Sequence, residues 1–232
     1  MPNKLYFEGD SVVLLAASIM CANQLELKEE LISLEKAGID ILHCDVMDGV
    51  FVNNMAMGPY VLEQISNFTK IPLDIHLATV EPEKYIKLFL PVKPKYISFH
   101  IETTKDPLKI VELLKKNNIG VSVALSPKTE LSEILPIIKF VDMVLIMTVN
   151  PGFAGQKFNY RVVEKLKKLN SICKDIGISP IIEVDGCINK STIPDVVTNG
   201  ANLLVLGTSA LFKPYNDYSK TVKEIKSLID KT

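Results

Sequence analysis

Excess charge is what this chain most lacks: 26 lysines and arginines stand against 27 aspartates and glutamates in 232 residues. Nothing in that balance draws a nucleic acid or an anionic membrane as the main partner. The Lys-rich stretch Lys165-Leu166-Lys167-Lys168 alternates with apolar residues at helical spacing and reads as a solvated helix face. Cysteine is scarce as well. Cys21, Cys44, Cys173 and Cys187 form no CxxC pair and no zinc-finger spacing. That excludes a disulfide framework and makes a reducing cytoplasm the expected location. Long apolar runs are missing: residues 12–20 are too short to span a bilayer, and no basic segment leads into them. No Pro/Gly/Ser-rich linker or low-complexity tract divides the chain, so residues 1–232 read as one domain. Residues 1–11 match no element and read as a flexible end or a cap over one end of the fold.

What is present is a core-forming share of apolar residues, 47%, arranged as short apolar runs that alternate with amphipathic segments. The runs are 12–18, 39–45, 71–77, 96–100, 120–125, 142–148, 180–184 and 202–206. They hardly alternate, as expected of strands buried on both faces of a parallel sheet. Helices are predicted near 25–37, after Gly58-Pro59, around Leu131, Ile134 and Leu135, near 160–175 and near 218–229. Eight strand–helix units without a break imply a single α/β domain, a (β/α)₈ TIM barrel. A doubly wound open sheet would need a Gly-rich phosphate turn near the start, and there is none.

In such barrels the chemistry sits at the C-terminal ends of the strands. All three histidines of the chain fall there: His43 with Asp45, His76 after Asp74, and His100 before Glu102. Asp185, after Glu183, ends the seventh strand. His43 and Asp45 share one strand face. With His76 and Asp185 they make a two-nitrogen, two-oxygen set suited to one divalent ion: zinc, manganese, cobalt or iron(II). Asp74 and Glu183 serve either as orienters of these ligands or as interior ion pairs. Asp45 and Asp185, from strands roughly opposite, suit removal of a proton from one face of a carbon and its return to the other. The metal would stabilise the enediolate between the two steps. A second cluster of glycines follows strands six to eight: Gly152 and Gly155 in residues 149–156, Gly186 before Cys187, and Gly207 before Thr208 and a short helical segment. Glycines admit an anion to backbone N–H groups, so a phosphorylated substrate is expected there.

These residues resemble the ribulose-phosphate 3-epimerase family. The resemblance rests on Ser18-Ile19, His43 to Val52 (HCDVMDGVFV), Leu73 to Leu77 (LDIHL), Met147 to Phe158 (MTVNPGFAGQKF) and Glu183 to Gly186. It implies a metal-dependent TIM barrel that inverts C3 of a ketose phosphate, with His43, Asp45, His76 and Asp185 on the metal. Asp45 and Asp185 would exchange the proton. Ser18, His76, Met47 and Met147 would meet the sugar, and Gly152, Phe153, Ala154, Gly155, Gly186, Cys187, Gly207 and Thr208 would meet its phosphate end. Three positions depart from the family pattern: Ala78 stands for Met, Asn53 for Pro, and Cys187 for Gly or Ser. Motif details, and the room a small Ala78 would leave, favour D-allulose 6-phosphate over D-ribulose 5-phosphate as substrate. A Schiff-base lyase is the competing enzyme class, but the nearest lysine, Lys157, lies in a loop. A non-catalytic sugar-phosphate-binding barrel is the competing non-enzyme. Apolar positions on the outer helices are compatible with a homo-oligomer.

Overall fold

The computed structural model describes residues 13–232; the expected flexible end or cap at 1–11 lies outside the described residues. Eight parallel strands close into one barrel in sequence order. They are β1 (Leu14–Ser18), β2 (Ile41–Met47), β3 (Leu73–Ala78), β4 (Tyr96–His100), β5 (Gly120–Leu125), β6 (Met143–Met147), β7 (Ile181–Asp185) and β8 (Leu203–Leu206). Closure is made by β1 against β8, with Leu14 opposite Leu203. The outer layer holds α1 (Leu27–Ala37), α2 (Pro59–Phe68), α3 (Pro82–Phe89), α4 (Pro107–Lys116), α5 (Arg161–Asp175), α6 (Ile193–Thr198) and α7 (Tyr218–Ile229). Local sequence explains where several begin. Proline occupies the first turn of α2, α3, α4 and α6, where no N–H partner is needed, and Asp106 and Asp217 cap α4 and α7 through Lys109 N and Lys220 N.

Two predicted helical segments form no α-helix. After β5 the chain forms only two short 3₁₀ turns, Leu131–Glu133 and Ile138–Phe140. Pro136 lies between them, where it would remove a helix donor and clash with the preceding turn. Leu131 and Ile134 still reach the core, while Leu135 is exposed. After β8 the segment from Thr208 makes a single turn, with the N–H groups of Ala210, Leu211 and Phe212 all directed at Gly207 O. Pro214 sets its limit, because the residue before a proline is pushed out of the helical region.

The larger core lies between strands and helices; a smaller apolar layer, Leu14, Ala16, Ile41, Tyr96, Met143, Leu203 and Val205, plugs the barrel's N-terminal end. Above that plug the interior turns polar. His43, Asp74, Ser98, Ser122 and Glu183 are all fully buried. Strands β2 and β3 run further than predicted, to Met47 and Ala78, so His43 and His76 sit within strands rather than at their tips.

Candidate active site

Register decides the site. In the β2–β3 pair His43 lies opposite Asp74 and Asp45 opposite His76; Ser18 of β1 faces His43, and Asp185 of β7 faces Met147 of β6. One nitrogen or oxygen from each of His43, Asp45, His76 and Asp185 falls within 4.8 Å of the others. The four side chains singled out from sequence are therefore together. Ser18 Oγ donates to Asp45 Oδ2 at 2.9 Å, and Asp45 Oδ1 lies 3.1 Å from His76 Nδ1 and 3.6 Å from His43 Nε2.

Of the two acids beside the ligands, Asp74 is hydrogen-bonded to His43, and Glu183 lies next to the same nitrogen. His43 Nδ1 is 2.9 Å from Asp74 Oδ2 and 3.3 Å from Glu183 Oε1. A nitrogen that donates to a carboxylate leaves its ring partner with a bare lone pair. That partner, His43 Nε2, is buried, has no hydrogen-bond partner among the described residues, and lies 4.0 Å from Asp185 Oδ2. An imidazole nitrogen and carboxylate oxygens converging on one point fit a divalent cation, and two histidines with two carboxylates are a ligand set such ions accept.

With the protein's own charges alone, these groups are strongly perturbed. Burial works against the charged form of His43, but Asp45 and Glu183 override it and hold His43 well above the ordinary imidazole range. Burial likewise tends to raise Asp45, yet His43 and His76 hold it far below the carboxylate range. Burial pushes Asp185 up to about 6, and burial followed by the Asp74 charge pushes Glu183 up to about 8. Burial lowers His100, which keeps that ring neutral.

Above the cluster opens a cavity of about 300 Å³. Its wall includes each of Ser18, Asp45, Met47, His76, Met147, Gly152, Phe153, Ala154, Gly155, Asp185, Gly186, Cys187, Gly207 and Thr208. His43 alone of the expected site residues lies beneath it. Among the described residues no lysine lines this cavity, and Lys157 is exposed in its loop. A larger cleft of about 740 Å³ opens at the opposite, N-terminal end among Lys70, Lys93 and Tyr96 and holds none of these groups. At the mouth, Gly186 adopts φ 122°, and a Cβ there would sit 2.5 Å from Val149 Cγ2. Cys187 follows with φ 55°, its carbonyl held by Asn189 Nδ2 at 2.9 Å and Thr192 Oγ1 at 3.1 Å. Asn54 Nδ2 donates across the mouth to Gly152 O at 2.7 Å. Asp48 staples the loop after β2 by accepting from Val50 N, Phe51 N and Val80 N.

Sequence reasoning placed His100 and Glu102 at a strand end without giving them a role, gave none to Asn54, and put Lys165 in solvent. The Asn54 bond spans 98 residues, and nothing in the local pattern of either partner signals it. Lys165, expected in solvent, turns inward: its Nζ donates to the carbonyls of Ser126, Pro127 and Thr129 at 3.1, 2.8 and 2.6 Å. Ala78 is fully buried under Met47, Val52, Met20 and Phe51 and is not on the cavity wall.

A closed (β/α)₈ barrel with two imidazoles and two carboxylates under a glycine-rimmed cavity defines a barrel enzyme of the acid/base, metal-capable kind. A sequence profile described as the ribulose-phosphate 3 epimerase family matches residues 14–212. The chain is 38% identical to the ribulose-phosphate 3-epimerase of Bacillus subtilis (strain 168) over 216 residues, covering 93% of this chain and 99% of that one. It is 40% identical over 219 residues to the chloroplastic ribulose-5-phosphate-3-epimerase of Arabidopsis thaliana, covering 94% and 77%. The chain belongs to the ribulose-phosphate 3-epimerase family, and is an isomerase. Among solved structures it is similar in fold to a 3-hexulose-6-phosphate synthase (TM-score 0.67, 15% identity, 93% and 99% covered). It is likewise similar to the phosphoribosyl anthranilate isomerase of Thermus thermophilus (TM-score 0.65, 12% identity, 94% and 98% covered). Both likenesses concern the fold alone.

Proposed function

We propose that the chain interconverts D-ribulose 5-phosphate and D-xylulose 5-phosphate by inverting C3 through a 2,3-enediolate. The observation that carries this is the pairing of Asp45 and Asp185 in one cavity with their acidities pushed apart. Such a pair begins as one base and one acid. Asp45, ionised and fixed by Ser18, takes the C3 proton on one face; Asp185 returns one on the other, and the roles exchange in reverse. A single divalent ion held by His43, Asp45, His76 and Asp185 would supply Lewis-acid polarisation of the C2 carbonyl and charge stabilisation of the enediolate. Met47 and Met147 flank the sugar carbons without offering a competing proton. Gly152 to Gly155, Gly186, Cys187, Gly207 and Thr208 receive the phosphate through backbone N–H groups.

The five-carbon sugar is preferred to the six-carbon one on two grounds. The relatives named above are called epimerases of ribulose phosphate. Ala78, whose small size favoured the longer substrate, lies under Met47 and Val52 and offers the cavity no extra room. The test is C3 proton exchange in deuterated water with each sugar phosphate. Wild type should wash deuterium into C3 with a higher kcat/KM for D-ribulose 5-phosphate than for D-allulose 6-phosphate. Asp45→Asn and Asp185→Asn should each lose about 10²–10⁴-fold in kcat. Tight binding with no exchange would leave only a sugar-phosphate-binding barrel, and wild-type turnover in both variants would end the two-base mechanism.

A further inference from the structure

Beyond the four candidate ligands lies a fifth and a sixth group with no assigned task. His76 Nε2 is 2.9 Å from Nε2 of His100, and His100 Nδ1 is 3.0 Å from Glu102 Oε2. His100 is fully buried, and Phe51 packs on its ring with centroids 4.8 Å apart. The other carboxylate oxygen of Glu102 accepts from Ser126 N at 2.7 Å and from the Thr129 hydroxyl.

Proton positions in this row follow one from another. Glu102, which His100 and Thr129 help to hold down to about 2 against the pull of burial, is ionised and can only accept. His100 Nδ1 must therefore carry hydrogen, and the neutral ring then has a bare Nε2. A bare Nε2 at 2.9 Å from His76 Nε2 requires the hydrogen of that contact to belong to His76. In the neutral ring that leaves Nδ1 bare, and it faces Asp45 Oδ1 at 3.1 Å, two lone pairs converging where an ion would sit. With an ion in place of its second proton, His43 would present the opposite nitrogen, since Asp74 faces its Nδ1. The two imidazoles thus offer different atoms, Nε2 from His43 and Nδ1 from His76, because their backing groups lie on different sides.

We propose that Glu102 and His100 are positioning residues: through a row of two hydrogen bonds they fix His76 in the Nε2–H form and so present Nδ1 to the divalent ion. This deepens the ion site read above and rests on it. A ligating histidine whose other nitrogen is held by an acceptor is both oriented and more basic. Here that acceptor is a second imidazole, itself held by a carboxylate on the same strand end.

Glu102→Gln is the informative change because it keeps the shape. Ser126 N–H, a fixed donor, retains the amide oxygen, so the amide NH₂ turns to His100 Nδ1. His100 must then carry its hydrogen on Nε2, which faces the Nε2–H of His76, and the row reverses. The experiment is long-range ¹H–¹⁵N spectroscopy of the imidazoles, with and without Zn²⁺, beside a Zn²⁺ affinity measured against a competing chelator. The chain has only three histidines to assign. Wild type should show His100 as Nδ1–H. Glu102→Gln should show Nε2–H and bind Zn²⁺ about 10- to 100-fold more weakly. Thr129→Val, which loses a loop contact of Glu102 but leaves the row intact, should match wild type in both readouts.

His100 found as Nε2–H in wild type would overturn the proposal without recourse to any variant. Equal Zn²⁺ affinity in wild type and Glu102→Gln would also overturn it, as would equal losses in Glu102→Gln and Thr129→Val with His100 unchanged, which would make Glu102 a loop staple only. If wild type bound no Zn²⁺, the ion site itself would fall. The His100 tautomer, read without metal, would still decide whether the row exists.

Discussion

Glu183 is a carboxyl buried in the barrel with neither oxygen hydrogen-bonded among the described residues, and burial together with Asp74 pushes it up to about 8. A folded-state pKa raised above the unfolded value means that the folded protein holds the extra proton between the two. The group's contribution to stability is then fully present below the unfolded value and is lost as pH rises through about 8. Urea unfolding of metal-free protein from about pH 5 to 8 should therefore show wild type losing ground to Glu183→Gln, the isostere of the protonated form. A gap that stays constant over that window would mean that Glu183 is ionised throughout. At this scale the site was largely legible. Alternation along a strand puts His43 and Asp45 on one face whatever the surroundings, and histidines in the C-terminal halves of three predicted strands point to one end of a barrel. Tautomers were not legible, because they depend on contacts that only the closed sheet makes, His100 beside His76 and Ser126 N beside Glu102.

Strands were read more accurately than helices, and the reason is physical. Each β-segment is an apolar run buried on both faces, which leaves a strong signal, whereas the outer helices are decided by capping and proline placement. The segment after β5 shows the difference. Its leucines and isoleucines are spaced as in a helix, but Pro136 breaks it, and the loop is instead held by Lys165 reaching from α5 to three carbonyls. A lysine in a helical Lys-rich run carries no mark that separates it from solvated neighbours such as Lys167. Lys165→Met keeps the stem and removes the donor from three partly buried acceptors. It should lower stability by about 1–3 kcal/mol, read from thermal or urea unfolding. A change near zero would show that water replaces the ammonium without loss.

For the whole molecule, an ion held by β2, β3 and β7 would tie together strands that are not all neighbours. Anything that binds the folded barrel but not the unfolded chain stabilises it in proportion to the logarithm of its concentration. Zn²⁺ at about 100 times its Kd should add about 3 kcal/mol, raising Tm by roughly 5–10 °C for a chain of this size. Chelation should reverse the shift, and an unchanged Tm in the presence of Zn²⁺ would count against the four-ligand site. The closure of the barrel has a further consequence, for synthesis. The partner of β1 is β8, with Leu14 N bonded to Asn202 O at 2.9 Å. A growing chain therefore holds its first strand unsatisfied until residues near 203 have left the ribosome. A product truncated before that point has two open, apolar sheet edges rather than none, and such edges are templates for pairing with other chains. Termination after Asp185 but before β8 would thus yield an aggregating fragment, although all four proposed ion ligands would already have been made.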